Sequence, residues 1–179
     1  MSRIALCLFL LSPVAGMTQK FISEKSTIMF FSKATIEDIA AKNEKSMAML
    51  DMTSGEVAFS VPVKEFVFEK SLMQEHFNEK YMETEKYPKA TFQGKLQGLT
   101  AGATGTQGVR AQGKLTLHGV TRDVDVPGTL EVKDDRVTMN AKFVVALEDY
   151  NVKRPQVLWK NIAESVEVTV DFTLKPYEK

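Results

Sequence analysis

The side chains best suited to chemistry are few in this chain. There are two histidines, His76 and His118, and one cysteine, Cys7. The sequence has neither a Gly-x-Ser-x-Gly elbow nor a glycine-rich phosphate loop. A zinc or iron site would need His76 together with carboxylates such as Glu75 or Glu79, and their spacing matches no familiar pattern of metal ligands. The sequence therefore predicts no catalytic residue, no metal ion and no cofactor.

The beginning of the chain has the layout of a secretory signal peptide. Arg3 supplies a positive charge, Ile4–Leu11 is an uninterrupted apolar run, and small residues precede the expected cleavage after Gly16. Eight apolar residues rise only about 12 Å as a helix, whereas a bilayer needs about 20 residues, so no integral membrane span is expected. We therefore expect a signal peptide over residues 1–16, and Cys7 would be removed with it.

The rest of the chain, residues 17–179, has the size and composition of one globular domain. It contains no low-complexity linker, and it is long enough to bury an apolar core. Basic and acidic side chains number 23 each in the whole chain, so the formal net charge is zero. Because there is no basic excess, we expect no nucleic acid among its partners.

Alternation of apolar and polar residues dominates the chain from residue 55 onward. It is clearest over Val166–Leu174, where every second residue is apolar, and this period of two predicts a strand with one buried and one wet face. Two earlier strands are expected, one over Ser26–Ser32 and one between Thr35 and Met52. The same alternation predicts the remaining strands over residues 57–63, 92–96, 109–117, 124–132 and 137–147.

Short links join these segments, and they indicate antiparallel neighbours. In one of them His118 precedes Gly119, so a role in the hairpin explains this histidine. About eight antiparallel strands can close into a barrel with room for side chains or one elongated ligand. The predicted fold is all-β, an extended eight-stranded antiparallel β-barrel with one short helix.

The short helix is predicted near residues 71–83. Met73, Phe77 and Tyr81 recur there every four residues, which is typical of one helix face, and Ser71 is suited to the N-cap. The apolar face either covers the barrel mouth as a lid or packs on the barrel as an ordinary amphipathic helix.

A long connection is predicted over residues 150–163. It contains Pro155 and the only tryptophan, Trp159, and we expect it to cross one end of the barrel as a loop. Its Lys153, Arg154 and Lys160 either contact an anionic ligand head group or form a solvated charge cluster.

Several motifs resemble one known family. Leu72–Asn78 followed by Lys86–Phe92 is similar to the helix and "kYP…tF" bend of the YceI-like family, and Gly113–Arg122 resembles its "G.LtlhGvtr" hairpin. The resemblance covers about residues 55–174, with the motifs in the family's order. The first strand, which begins Lys25-Ser26, lacks the histidine that usually precedes the serine in that family.

This resemblance implies a lipocalin-like barrel that is exported to the periplasm. Its lumen would hold a polyisoprenoid, an isoprenoid quinone or a similar amphiphilic lipid, and the protein would be a binding protein and not an enzyme. Whether two copies of the chain form a homodimer stays open. The side chains expected to bind the ligand are Phe66, Phe68, Met73, Phe77, Phe92, Leu117, Val126, Val145, Leu147, Val168, Val170 and Phe172, with Trp159 near the mouth.

Two other classes of function stay open beside a carrier. An enzyme acting on an isoprenoid or a hydroxylated lipid would use His76, Asp149 or Glu148 as acid or base. A structural or interaction protein would have its barrel filled by side chains and would bind a partner through an exposed edge or loop.

Overall fold

The computed structural model describes residues 20–33, 38–153 and 163–178. The expected signal peptide and its cleavage after Gly16, and the predicted roles of Arg154, Trp159 and Lys160, lie outside the described residues. No helix in the described ranges is both long and apolar enough to cross a membrane.

Ten strands and one short helical segment make up the described fold. The helical segment consists of α1 (Ser71–His76) and a π-helical turn (Phe77–Tyr81). Short 3-10 turns cover Val63–Glu65 and Glu148–Tyr150. The strands are β1 (Lys20–Ser32), β2 (Ile39–Asn43), β3 (Met47–Asp51), β4 (Glu56–Pro62), β5 (Val67–Phe68), β6 (Lys89–Gln97), β7 (Gly105–Leu117), β8 (Val120–Lys133), β9 (Arg136–Ala146) and β10 (Ser165–Pro176).

The strands form a closed antiparallel barrel. The hydrogen-bonded order runs from β10 through β9, β8, β7, β6, β4 and β3 to β1, and β1 pairs again with β10. This ring has eight strand positions, so the predicted all-β, eight-stranded antiparallel barrel is confirmed. Each strand of this ring therefore has a hydrogen-bonded neighbour on both sides.

Two of the eight positions are each divided into two strands. Both β2 and β3 lie along the same edge of β1, where Asn43 pairs with Ile28 and Met49 pairs with Ile22. In the same way β4 pairs with β3, and β5 pairs with β2. The single second strand predicted between Thr35 and Met52 is therefore wrong in one respect, because it is interrupted after Asn43.

The side chain of Asn43 explains the interruption. It is fully buried, and its Nδ2 donates to the carbonyl of Pro62 at 2.8 Å. Its Oδ1 accepts the backbone N–H of Lys45 at 2.8 Å and the hydroxyl of Ser46 at 3.0 Å. These bonds stabilise a turn in place of a continuous strand, and they connect it to the end of β4.

A pair of glycines allows β6 and β7 to approach each other closely. Gly94 pairs with Gly113 across the two strands. A Cβ on Gly94 would lie 2.3 Å from the carbonyl oxygen of Gln112, and a Cβ on Gly113 would lie 2.2 Å from that of Gln93. Glycines at such positions let a barrel coil sharply.

The two ends of the barrel differ. One end, which we call the floor, is closed by side chains that are at most 1% exposed, and these are Leu50, Leu130, Val137, Phe172 and Leu174. The other end, which we call the mouth, carries α1, the π-helical turn, the β7–β8 turn and the segment that follows β9. A hollow fits only above the floor.

The helical segment is shorter than predicted. The carbonyl of Lys70 accepts the N–H groups of Met73 and Gln74 at 3.1 and 3.2 Å, so Lys70 is the N-cap and Ser71 is the first helical residue. The prediction that Ser71 is the N-cap is therefore wrong. Beyond His76 the helix widens into the π-helical turn, which explains why the α-helix does not reach residue 83.

Candidate functional site

A cavity of about 390 Å³ lies inside the barrel between the floor and the mouth. Its wall is built from alternate, inward-facing residues, such as Val166, Val168 and Val170 on β10. These three side chains are half-buried, because they face open space and are not covered by neighbours. The size falls within the range of small-molecule sites, about 300–1,000 Å³. The hollow argues against a barrel filled by side chains.

Most of the predicted ligand-binding side chains meet at this cavity. Phe172 does not line it, because it is buried in the floor with its ring centroid 5.0 Å from that of Phe59. Contact of any of these side chains with a ligand stays a prediction. Those that line the cavity are Phe66, Phe68, Met73, Phe77, Phe92, Leu117, Val126, Val145, Leu147, Val168 and Val170.

Two aromatic rings lie next to each other in the wall of the cavity. Phe59 and Phe92 line it, and their ring centroids are 5.8 Å apart. The ring of Phe92 extends over Gly94, since its Cζ lies only 2.7 Å from the position that a Cβ on that glycine would take. Phe172 lies against Phe59 on the floor side. The missing side chain at Gly94 therefore leaves space for the Phe92 ring.

Four phenylalanines form a cluster at the mouth. Phe77, from the π-helical turn, stacks on Phe30 of β1 with ring centroids 5.4 Å apart. Its centroid also lies 4.9 Å from that of Phe68 and 5.7 Å from that of Phe66. The helical segment therefore lies over the cavity with Met73, Phe77 and Tyr81 turned inward, which is the geometry that a lid requires.

Tyr81 adds a hydroxyl group to this apolar surface. It lines the cavity at the end of the π-helical turn, and burial raises the pKa of its phenol. The phenol is therefore neutral at physiological pH and is able to donate a hydrogen bond.

His118 connects three segments of the mouth. Its Nδ1 lies 3.1 Å from the carbonyl oxygen of Tyr150, so Nδ1 donates this bond. Its Nε2 lies 2.9 Å from Oε2 of Glu83, which follows the helical segment. The ring is buried and also contacts the edge of Tyr87. The predicted hairpin role is thus too narrow, because His118 joins the β7–β8 turn to both covering segments.

The residues of the enzymatic alternative do not share one site. His76 lines the cavity and is half-buried, whereas Glu148 and Asp149 are exposed on the 3-10 turn. The backbone carbonyl of Asp149 accepts a hydrogen bond from Nε of Arg122 at 2.9 Å. Within the described ranges, no group of three or more His, Cys, Asp or Glu side chains is arranged to hold a metal ion.

The cavity wall carries almost no polar chemistry. Among the described residues that line it, none is Lys, Arg, Asp or Glu. Three polar side chains that line it, Ser32, His76 and Tyr81, lie towards the mouth. The arrangement suits a ligand with a long apolar part that enters first and a small polar end that stays outermost.

Sequence reasoning missed several aromatic and aliphatic wall residues of the first half of the chain, and three of them show why. Ile28 and Phe30 on β1 and Phe59 on β4 line the cavity. The alternation of Ile28, Phe30 and Ser32 already carries this signal, as does the position of Phe59 in an alternating strand.

A comparison with known families identifies this barrel. The model of the YceI-like domain matches residues 18–174. The chain belongs to the YceI-like family. This match extends the resemblance seen in the motifs to nearly the whole described chain. No curated protein sequence matches the chain.

Several solved structures share the YceI-like fold. A polyisoprenoid-binding domain from Saccharophagus degradans has a TM-score of 0.77 at 17% identity, and the match covers 88% of this chain and 98% of that one. BcnA from Burkholderia cenocepacia has a TM-score of 0.70 at 20% identity, with 83% and 95% covered. A YceI protein from Campylobacter jejuni has a TM-score of 0.66 at 12% identity, with 82% and 90% covered. At these identities the likeness concerns the fold.

Proposed function

We propose that this YceI-like protein is an exported carrier that binds a polyisoprenoid, an isoprenoid quinone or a similar amphiphile inside its barrel. The observation that carries the proposal is the cavity of about 390 Å³ inside the barrel, which has an apolar wall. Transfer of a hydrocarbon chain from water into an apolar space of this kind is favourable. A similar domain from Saccharophagus degradans is described as polyisoprenoid-binding, which supports this ligand class.

The expected affinity is sufficient for a carrier. At about 0.8 kcal/mol per buried carbon, one five-carbon isoprene unit contributes about 4 kcal/mol, and three units contribute about 12 kcal/mol before losses. Association costs several kcal/mol, which leaves an affinity in about the micromolar range without any polar contact. A ligand held this way can still be released.

The cargo itself tests the proposal. The mature protein is purified without detergent, extracted gently with organic solvent, and the extract is analysed by mass spectrometry. We expect an isoprenoid or similar amphiphile at about one molecule per chain. Repeated recovery of an empty barrel that also fails to bind hydrophobic fluorescent probes would contradict the proposal.

A matched pair of substitutions locates the binding in the lumen. Val168→Trp places a large ring in the cavity, whereas Val144→Trp places the same ring on the outer face, where Val144 is 65% exposed. The inward variant should lose the cargo and the outward variant should keep it. If both variants keep the cargo, the ligand binds elsewhere.

Export to the periplasm is a separate part of the proposal. The support is the signal-peptide layout of residues 1–16. Expression of the full chain, followed by cell fractionation and measurement of the intact mass, tests it. We expect a periplasmic protein that lacks residues 1–16, and a full-length product in the cytoplasm would contradict this part alone.

A further inference from the structure

The proposed carrier function has a consequence for the length of the chain that it binds. A barrel that is open at both ends would accept any length, but this barrel is closed at the floor. Leu50, Leu130, Val137, Phe172 and Leu174 are at most 1% exposed there, so no passage continues beyond them. The available length therefore ends above these side chains, where Phe59 lines the cavity and its ring contacts that of Phe172 in the floor.

The cavity volume sets how much of the ligand chain fits above the floor. An apolar cavity of about 150 Å³ holds benzene, which corresponds to about 25 Å³ for each carbon. A volume of about 390 Å³ on the same scale holds about 16 carbons. This corresponds to about three isoprene units.

We propose that this YceI-like barrel limits the length of the ligand chain that it encloses, so that it shelters about three isoprene units and leaves any further units outside the mouth. Phe59 is the main length-determining residue, because its ring lies between those of Phe92 and Phe172, at centroid distances of 5.8 and 5.0 Å. The inference rests on the proposed function and adds a limit to it.

The limit has a clear signature in binding. Each unit that enters the cavity buries five carbons, so the dissociation constant should fall by at least about tenfold per unit while room remains. Units that stay outside the mouth bury nothing. The dissociation constant should then change by less than about twofold from one unit to the next.

Two substitutions should move the limit in opposite directions. Phe59→Ala removes a ring from the bottom of the cavity and adds space for about one further unit. Ala111→Leu fills the lower part of the cavity, where Ala111 pairs with Leu96, and removes space for about one unit. Val144→Ala on the outer face is the matched control.

The test compares geraniol, farnesol, geranylgeraniol and a longer polyprenol, which have increasing numbers of isoprene units. Pairs of alcohols compete at equal concentration for the mature protein, and native mass spectrometry gives the ratio of the two complexes. In the unsubstituted protein the complex with farnesol should be at least about tenfold more abundant than the complex with geraniol. It should match the abundance of the complex with geranylgeraniol within about twofold. In Phe59→Ala the affinity should rise with chain length up to geranylgeraniol before it becomes constant. In Ala111→Leu it should already be constant from geraniol onward.

The outcomes separate the length limit from the carrier function. If affinity rises steadily up to the longer polyprenol, or if both lumen variants level at the same alcohol as the control, the length limit is wrong and the carrier function stands. If the unsubstituted protein binds none of the alcohols, both fail. Thermal unfolding of each variant is measured in parallel, and Ala111→Leu decides the question if Phe59→Ala does not fold.

Discussion

The ring of Phe77 stacks on the ring of Phe30, with their planes 18° apart. Phe30 belongs to the barrel wall and Phe77 to the segment over the mouth, so this pair joins the cover to the barrel. Aromatic pairs contribute about 0.5–1.5 kcal/mol each beyond simple burial. Ring packing therefore contributes to holding the cover on the barrel, beside the hydrogen bonds of His118.

Loss of the Phe77 ring should make the barrel release its ligand faster. Phe77→Ala removes the contacts with Phe30, Phe66 and Phe68, so the cover opens more often. We expect the dissociation rate of a bound hydrophobic fluorescent probe to rise about tenfold, because about 1.4 kcal/mol lost from the closed state has this effect. Stopped-flow dilution of the loaded protein measures the rate.

Leu72→Ala provides the control for this prediction. Leu72 lies on α1 as well, but it is 60% exposed and faces away from the cavity. Its substitution should leave the release rate within about twofold of the original, since surface changes usually cost little. If Leu72→Ala and Phe77→Ala release the probe at the same rate, the segment is an ordinary amphipathic helix and not a lid.

His118 should contribute to stability through its two hydrogen-bond partners. His118→Ala leaves the carbonyl of Tyr150 and the carboxylate of Glu83 without these bonds. It also puts alanine at a backbone φ of +49°, which alanine disfavours. We expect a loss of about 2–3 kcal/mol in the free energy of unfolding, measured with urea.

Glu83→Gln separates the charge from the hydrogen bonding at the same place. The amide group can still form a hydrogen bond with Nε2 of His118, and the side chain of Glu83 is partly exposed. The loss should therefore stay below about 1 kcal/mol. A loss for His118→Ala no larger than that for Glu83→Gln would show that His118 does not hold the mouth together.

The sequence was sufficient to predict the strands of the barrel because each strand has one apolar face and one polar face. In Val166–Leu174 each inward apolar residue is followed by a polar one, and the structure has a strand over this whole segment. The same alternation located the other long strands of the second half. A wet outer face and an apolar inner face fit either a closed antiparallel barrel or two packed sheets, and the resemblance to the YceI-like family favoured the barrel.

The heights of side chains within the barrel could not be predicted in the same way. Val170 and Phe172 are both inward and two residues apart, yet Val170 lines the cavity and Phe172 is buried in the floor. Periodicity gives the face of a strand, but the position of the floor depends on the packing of residues from distant strands, such as Phe59 against Phe172.

Long-range polar contacts were equally hidden. Asn43 interrupts a strand because its side chain reaches Pro62, nineteen residues away, and Glu83 meets His118 across thirty-five residues. A single sequence carries no signal for such pairs, because neither partner has a special local pattern. The helical spacing of Met73, Phe77 and Tyr81 did locate the cover.

Acid should weaken the contact between β1 and the β8–β9 hairpin. Arg136 donates to Glu24 at 2.8 Å, and this hydrogen bond holds the pKa of the Glu24 carboxyl below its usual value. A carboxyl whose pKa is lower in the folded chain stabilises the fold above its unfolded pKa, and this contribution is lost as the pH falls through the lowered value. Glu24→Gln should therefore lose less stability than the original protein on acidification.

Urea unfolding at about pH 7 and about pH 3 measures this difference. At about 1 M salt the difference between the two proteins should shrink, because the pair is accessible to solvent and is screened. An equal loss of stability in both proteins on acidification would mean that Glu24 does not contribute to the acid sensitivity of the barrel.

The glycine pair between β6 and β7 should tolerate no side chain. Gly94→Ala would place a Cβ 2.3 Å from the carbonyl oxygen of Gln112 and 2.8 Å from the Cα of Gly113, and both are backbone atoms that cannot rotate away. The two strands would have to separate, and Phe92 would lose its place over the glycine. We expect a loss of about 1–3 kcal/mol in the free energy of unfolding.

Gly108→Ala on β7 is the matched control, because a Cβ there meets nothing within 4 Å, and the stability of this variant should not fall. Equal stability of the two alanine variants would show that the close approach at Gly94 is not required for the barrel to coil.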